Sequence, residues 1–246
     1  VLREKKVRLD QLLVQKDLAE SREKARAMIM AGVVEVDHVR VDKPGHLVSS
    51  SAPVTVKEVY PPYVSRGGIK LKAALDQFGV DVRDKTILDV GSSTGGFTDC
   101  LLQSGAGRVI AVDVGYGQLH WKLRNDPRVT VLERTNIRYL EPGDIGETLD
   151  GAVIDVSFIS LRLVVPAVSQ HLGEGRFIIA LVKPQFEVGK GQVGKGGVVR
   201  DPELHERVLS ELNRFFESLG WSVSGCIASP ILGPKGNKEF LIYLTS

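Results

Sequence analysis

The sequence predicts an α/β protein with a seven-stranded, mostly parallel, Rossmann-like sheet, preceded by a small α+β module. Three observations carry this. Seven short apolar runs between residues 86 and 244 alternate with helical stretches. The first run ends in a glycine-rich turn that opens a helix. Residues 1–60 have a different texture, two helical stretches followed by clipped alternating pieces.

Composition sets the frame. The 246 residues are 43% hydrophobic and 25% charged, which excludes a wholly disordered or collagen-like chain and suffices for a core without staples. The net charge of +2 means that any nucleic-acid site must come from clustering of basic residues. Residues 1–60 hold eleven Lys/Arg against nine Asp/Glu, so the whole excess lies there, while the remainder is balanced. Two cysteines, Cys100 and Cys226, make no metal spacing or disulfide framework and fit a reducing, cytoplasmic setting. The opening VLREKKVRLD lacks the apolar run of a signal peptide. No stretch reaches the roughly 18 apolar residues of a membrane span.

In the front module, Leu9, Leu12 and Leu13 recur at helical spacing. Ser21 caps a second helix with Ala25, Met28 and Ile29 on its apolar side, and Gly32 ends it. The pieces VVEV, VRVDKPG and PVTVKEV follow as small strands, with a turn at Asp37-His38. Arg22 and Arg26 share a helix face, and Lys5, Lys6 and Arg8 lead into the first helix. Such a basic face suits a phosphate backbone; the plainer reading is a solvated surface.

YPPYVSRGG, residues 60–68, reads as a linker, with the boundary of the second domain at residue 69. Pro61-Pro62 stiffens it and Gly67-Gly68 frees it. Tyr60, Tyr63 and Arg66 are placed to touch RNA there. Leu71, Ala74, Leu75 and Phe78 then form one helical face. Strands are expected at 86–90, 108–113, 129–133, 151–156, 177–183, 221–226 and 239–244, with helices at 98–103 and 202–219 among those between them.

DVGSSTGGFT, residues 89–98, lies where doubly wound sheets bind nucleotides. Gly91, Gly95 and Gly96 let the backbone bend and approach a ligand. The spacing is neither the nicotinamide G-x-G-x-x-G nor the phosphate-loop pattern. Asp113 ends the second strand, 24 residues after Asp89, where a carboxylate accepts from two ribose hydroxyls. Loop and acid together describe an S-adenosylmethionine site, with Asp89, Ser92, Phe97 and Thr98 as further candidate contacts. GKGQVGKG, residues 189–196, only imitates a phosphate loop, because Gly196 stands where Ser/Thr belongs. Five glycines within 189–197 read instead as a mobile lid, with Lys190 and Lys195 free to meet phosphates.

Lys70, Asp155, Lys183 and Glu239 stand beside or at the ends of apolar runs, where charge is unexpected. A carboxylate between two lysines orients both, and a lysine beside another cation is pushed toward the neutral form that takes a proton from a hydroxyl.

These four residues, with DVGSSTGGFT, resemble the Lys-Asp-Lys-Glu tetrad of FtsJ-type ribose 2′-O-methyltransferases. The front module resembles the RNA-binding domain of small-subunit ribosomal protein S-four. That order of domains, with YVSRGG, DVGYGQL, LVKPQFE and VGKGGVVRD, resembles the TlyA family over nearly the whole chain. Its members are often labelled hemolysins, yet the better-founded activity is rRNA (cytidine-2′-O)-methylation. The resemblance implies that Lys183 is general base or main orienter of the 2′-hydroxyl, and that Lys70 and Glu239 position the ribose. It implies that Asp155 steadies the lysines near the methionine end of S-adenosylmethionine, that Asp113 holds the cofactor ribose, and that Asn136 lies by the adenine. Related enzymes usually carry an acid at that last position. The implied partners are ribosomal RNA or ribosomal subunits, with no metal and no membrane, and a homodimer left open. Rival readings are a cytolysin, for which the sequence shows no span, signal or amphipathic basic helix, and a non-catalytic RNA-binding assembly factor. A base methylase is disfavoured by the missing Asn/Asp-Pro-Pro-Tyr platform.

Overall fold

The structure is a computed structural model and describes residues 6–30, 32–56, 62–141, 143–146, 148–189, 191–194 and 196–246. Lys5, Tyr60, Pro61, Lys190 and Lys195 lie outside the described residues. The chain divides into two compact units, Val1–Tyr60 and Pro61–Ser246.

The first unit runs β1 (Lys6–Arg8), α1 (Leu9–Gln15), α2 (Arg22–Met30), β2 (Val34–Val36), β3 (Val39–Arg40), β4 (Leu47–Ser49) and β5 (Val54–Val56). Leu9, Leu12, Leu13, Ala25 and Ile29 meet Val34, Val36 and Val48 in one core. The Ser21 hydroxyl accepts from the Lys24 N–H at 3.2 Å, as a cap should. Asp37 and His38 both take positive φ, 51° and 63°, the pattern of a two-residue hairpin turn between β2 and β3. Residues 6–8 are a strand paired antiparallel with β4, rather than a lead into the helix.

Asp10 organises the basic face. Its buried carboxylate receives Arg8 at 2.9 and 3.0 Å and Arg22 at 3.1 Å. Arg22 therefore ties α2 to α1 while Arg8 grips the start of α1, and their side chains stay 53% and 44% exposed. The Arg8 hydrogen bond above all, with Arg22, holds the Asp10 carboxyl down at about 2 against the opposing effect of burial. A depressed carboxyl stabilises fully above its unfolded pKa, near 4, and loses that contribution as pH falls through the folded value. Protection factors of α1 amides, exchange corrected for its intrinsic pH dependence, should thus fall between pH about 4 and about 2. Asp10→Asn should remove that step, and an unchanged step would assign it to another group.

The second unit runs α3 (Gly67–Phe78), β6 (Thr86–Val90), α4 (Gly96–Gln103), β7 (Arg108–Val112), α5 (Trp121–Arg124), β8 (Val129–Leu132), β9 (Leu149–Ile154), α6 (Leu161–Ser169), β10 (Leu172–Val182), α7 (Pro184–Glu187), α8 (Pro202–Ser218), β11 (Ser222–Ala228) and β12 (Phe240–Thr245). The seven strands form one sheet in the order β11-β12-β10-β9-β6-β7-β8. Only β12 runs antiparallel to its neighbours. One face packs on α6 and α8 through Val164, Val168, Val208, Leu212 and Phe216. The other packs on α3 and α4 through Leu71, Leu75, Phe97 and Leu101. Strand order reverses between β6 and β9, so their carboxyl ends open a crevice, the usual ligand position in such sheets.

Gly67 and Gly68 open α3 instead of loosening a linker. A Cβ on Gly68 would lie 2.2 Å from the Tyr63 ring, and one on Gly96 2.2 Å from Ser65 Oγ. Residues 62–66 are pinned to the same unit, with Asp99 accepting from the Val64 N–H at 2.8 Å and Gln103 donating to the Pro62 carbonyl at 2.8 Å.

Candidate active site

Two adjoining clefts open at the carboxyl edge of the sheet. The first, about 380 Å³, is lined by Lys70, Lys183, Glu239, Asp155, Arg66 and the glycine loop. The second, about 460 Å³, is lined by Asp113, Asn136, Gln118, Thr135, Val112 and Phe158. Gly91, Ser93, Asp155 and Ser157 line both, so the clefts meet there.

The loop between β6 and α4 is shaped by close approach. Gly91 has φ 82°, and a Cβ on it would sit 2.5 Å from the Asp155 carbonyl oxygen. Only glycine lets β6 and the end of β9 come together there. Gly95, φ 97°, turns into α4 against Leu123, where a Cβ would meet a methyl at 2.2 Å. Asp113 fixes the loop: its two carboxylate oxygens accept from the Ser93 N–H at 2.8 Å and the Gly115 N–H at 2.7 Å. Each oxygen keeps a further lone pair for a ligand hydroxyl. Asn136 begins a short turn, Ile137–Tyr139, and accepts from the Arg138 N–H at 3.1 Å.

Not every expected contact faces a cleft. Asp89 and Thr98 line neither of the two; they are buried beneath the loop, with Thr98 Oγ1 donating to Asp89 Oδ2 at 2.6 Å. Asp89 Oδ1 has no partner, and burial pushes the carboxyl up to about 7 against the Thr98 bond. Asp89 is thus a support under the loop. Gly95 packs inward, while Ser92, Gly96 and Phe97 line the first cleft rather than the Asp113 side.

The four charged residues form two pairs, not one carboxylate shared by two lysines. Lys183 meets Asp155 at 2.6 Å, and Lys70 meets Glu239 at 2.6 Å. Lys70 and Lys183 are each 8% exposed and Glu239 is 1% exposed. β10 delivers Lys183, the end of β9 delivers Asp155, α3 delivers Lys70, and the start of β12 delivers Glu239. Glu239 Oε1 is buried with no partner, under Gly233, where a Cβ would lie 2.0 Å from it. Two ammonium groups fixed on carboxylates at the floor of an open cleft suit a ligand with several hydroxyls near a developing negative charge.

Sequence reasoning missed Ser157, whose hydroxyl accepts from Lys183 at 2.9 Å, and Ser65, which lines the first cleft. Ser157 follows Asp155 by two residues just past the end of β9, and both line the two clefts. Arg66, assigned to the linker, lines the first cleft. The glycine-rich stretch is tied down at described points. Gln192 accepts from Arg207 at 2.5 Å, and the Asn237 side chain holds the Val199 N–H at 3.1 Å and the Gly197 carbonyl at 3.0 Å.

Comparison with known proteins agrees with this layout. Bacillus subtilis YqxC, provisionally named an rRNA methyltransferase, is 54% identical over 98% of this chain and 86% of its own length. The Mycobacterium tuberculosis 16S/23S rRNA (cytidine-2′-O)-methyltransferase TlyA is 49% identical over 98% of this chain and 90% of its own length. A solved structure from Streptococcus thermophilus, provisionally named a hemolysin, superposes with TM-score 0.76 at 46% identity, covering 98% of this chain and 89% of its own. The S4 domain model matches residues 7–54 and the FtsJ-like methyltransferase model residues 63–246. With its Rossmann-like sheet and paired lysines and carboxylates at the carboxyl edge, the chain belongs to the FtsJ-like methyltransferases and carries an S4 domain at its front.

Proposed function

We propose that the chain transfers a methyl group from S-adenosylmethionine to the ribose 2′-oxygen of a cytidine in ribosomal RNA, and so acts in the cytoplasm. The observation that carries this is the junction at Asp155 and Ser157, where a cleft lined by the Asp113 carboxylate opens onto one floored by two lysine–carboxylate pairs. In-line transfer needs donor and acceptor sites to abut in this way.

The second cleft fits the cofactor. Its volume lies within the range of about 300–1,000 Å³ usual for such ligands. Gly91 lines it, Asp113 has lone pairs for ribose hydroxyls, and Asn136 lines its wall. When bound, S-adenosylmethionine supplies an already activated methyl electrophile. The chain's own residues do the rest. Lys183 holds the 2′-oxygen and stabilises the charge that develops there, and Asp155 anchors Lys183 and takes up the proton that the hydroxyl releases. Lys70 and Glu239, which both line the first cleft, orient the ribose. Lys6, Arg8, Arg22 and Arg26 of the front unit, and Arg66 at the first cleft, hold the phosphate backbone.

Two measurements test this reading. S-adenosylmethionine at about 100-fold excess over Kd should add about 2.7 kcal/mol of stability, while NAD adds nothing; the reverse would remove the cofactor assignment. Nucleoside mass spectrometry of treated rRNA should show 2′-O-methylcytidine. A base-methylated nucleoside instead would overturn the ribose assignment.

A further inference from the structure

We propose that Ser157 is a positioning residue of the methyl-transfer site, setting where the Lys183 ammonium points. The proposal rests on the functional reading above and deepens it. An ammonium has three N–H donors. One Lys183 donor goes to Asp155 at 2.6 Å and a second goes to Ser157 at 2.9 Å. Both acceptors lie on the short segment that leaves β9, and both line the junction of the two clefts. Two donors fixed on one segment leave the third with one direction, away from both acceptors. Without the hydroxyl, Nζ swings about its Asp155 contact and its remaining hydrogens have no set aim.

The surrounding structure holds Ser157 to this task. The Asp155 N–H is locked to the Val90 carbonyl at 2.9 Å, which fixes the start of the segment. Its far end is fixed by Glu187, whose carboxylate accepts from Ser160 Oγ at 2.6 Å and the Leu161 N–H at 2.8 Å. Glu187 follows Lys183 by four residues in α7, so the strand that delivers the lysine also grips the loop that delivers its acceptors. Phe186 of that turn packs on Phe158, ring centres 5.0 Å apart. Phe158 itself takes φ 65°, a costly conformation for a bulky side chain that persists only where neighbours impose it.

Single-turnover methylation of rRNA by Ser157→Ala, Ser157→Thr, Lys183→Ala and the Ser157→Ala/Lys183→Ala double variant tests the proposal, with melting temperature as a check on folding. Ser157→Ala should slow methyl transfer about 10- to 100-fold, the usual worth of a hydrogen bond to a charged group. Ser157→Thr, which keeps the hydroxyl, should recover most of the rate. In the Lys183→Ala background the serine change should add nothing, because its effect runs through the lysine. Overturning results are a Ser157→Ala rate within twofold of wild type beside a crippled Lys183→Ala, or serine and lysine losses that multiply in the double variant. A Lys183→Ala rate near wild type would instead strike the functional reading on which the proposal stands.

Discussion

Lys183→Ala should lower the rate of methyl transfer by about 10²–10³, the usual cost of losing a donor that stabilises developing charge. Three features set that size. Lys183 is 8% exposed, so water replaces its ammonium poorly. It ends β10 within 2.6 Å of Asp155, and its removal frees that carboxylate to repel negative charge at the 2′-oxygen. Lys183 also lines the first cleft, where the ribose must lie in the proposed reaction. RNA affinity should hardly move, because phosphate contacts are spread over many basic residues. Lys183→Arg should not restore the rate. A guanidinium is a planar fork where the Asp155 and Ser157 acceptors are set for a compact ammonium. Single-turnover assays with saturating cofactor measure both. A Lys183→Ala rate within a few-fold of wild type would remove the lysine from the chemistry.

The sheet was legible because strands buried on both faces read as continuous apolar runs, and ALVK and AVID ended theirs in charge. β10 was legible only in part. Its first residues, LGEGR, break the apolar run, and the pairing with β9 is irregular between Leu172 and Phe177. β1 was invisible: three residues, two of them charged, become a strand only by pairing with β4 some forty positions on. Gly67-Gly68 misled because glycine signals both looseness and close packing, and the Tyr63 ring that decides between them is a tertiary contact. Asp89 could have been read better. It shares strand parity with Ile87, which faces the α3–α4 core, so its side chain points under the loop. The four charged residues were visible as misfits, but their sorting into two pairs depends on strand order and register, which no spacing encodes.

Glu239→Ala should cost about 3–5 kcal/mol of stability, because it strands the Lys70 ammonium in a site where only 8% of the residue meets solvent. In a domain of this size that corresponds to a fall in Tm of about 6–20 °C. Lys70→Met should cost a similar amount by leaving both oxygens of a 1% exposed carboxylate unpaired. The double variant Lys70→Met/Glu239→Leu removes both charges and should melt close to wild type, since a buried ion pair is often no more stabilising than apolar residues of like volume. Its methyl transfer should stay as low as that of either single variant. A double variant as unstable as the singles would trace the loss to packing around Gly233 rather than to a stranded charge. A stable double variant that still methylates rRNA would make the pair structural. The structure argues against that outcome. Glu239 spends one oxygen on Lys70 at 2.6 Å and leaves the other buried without a partner. Lys70 and Glu239 both line the first cleft, where the ribose lies in the proposed reaction, so losing the pair removes polar groups from that wall as well as charge.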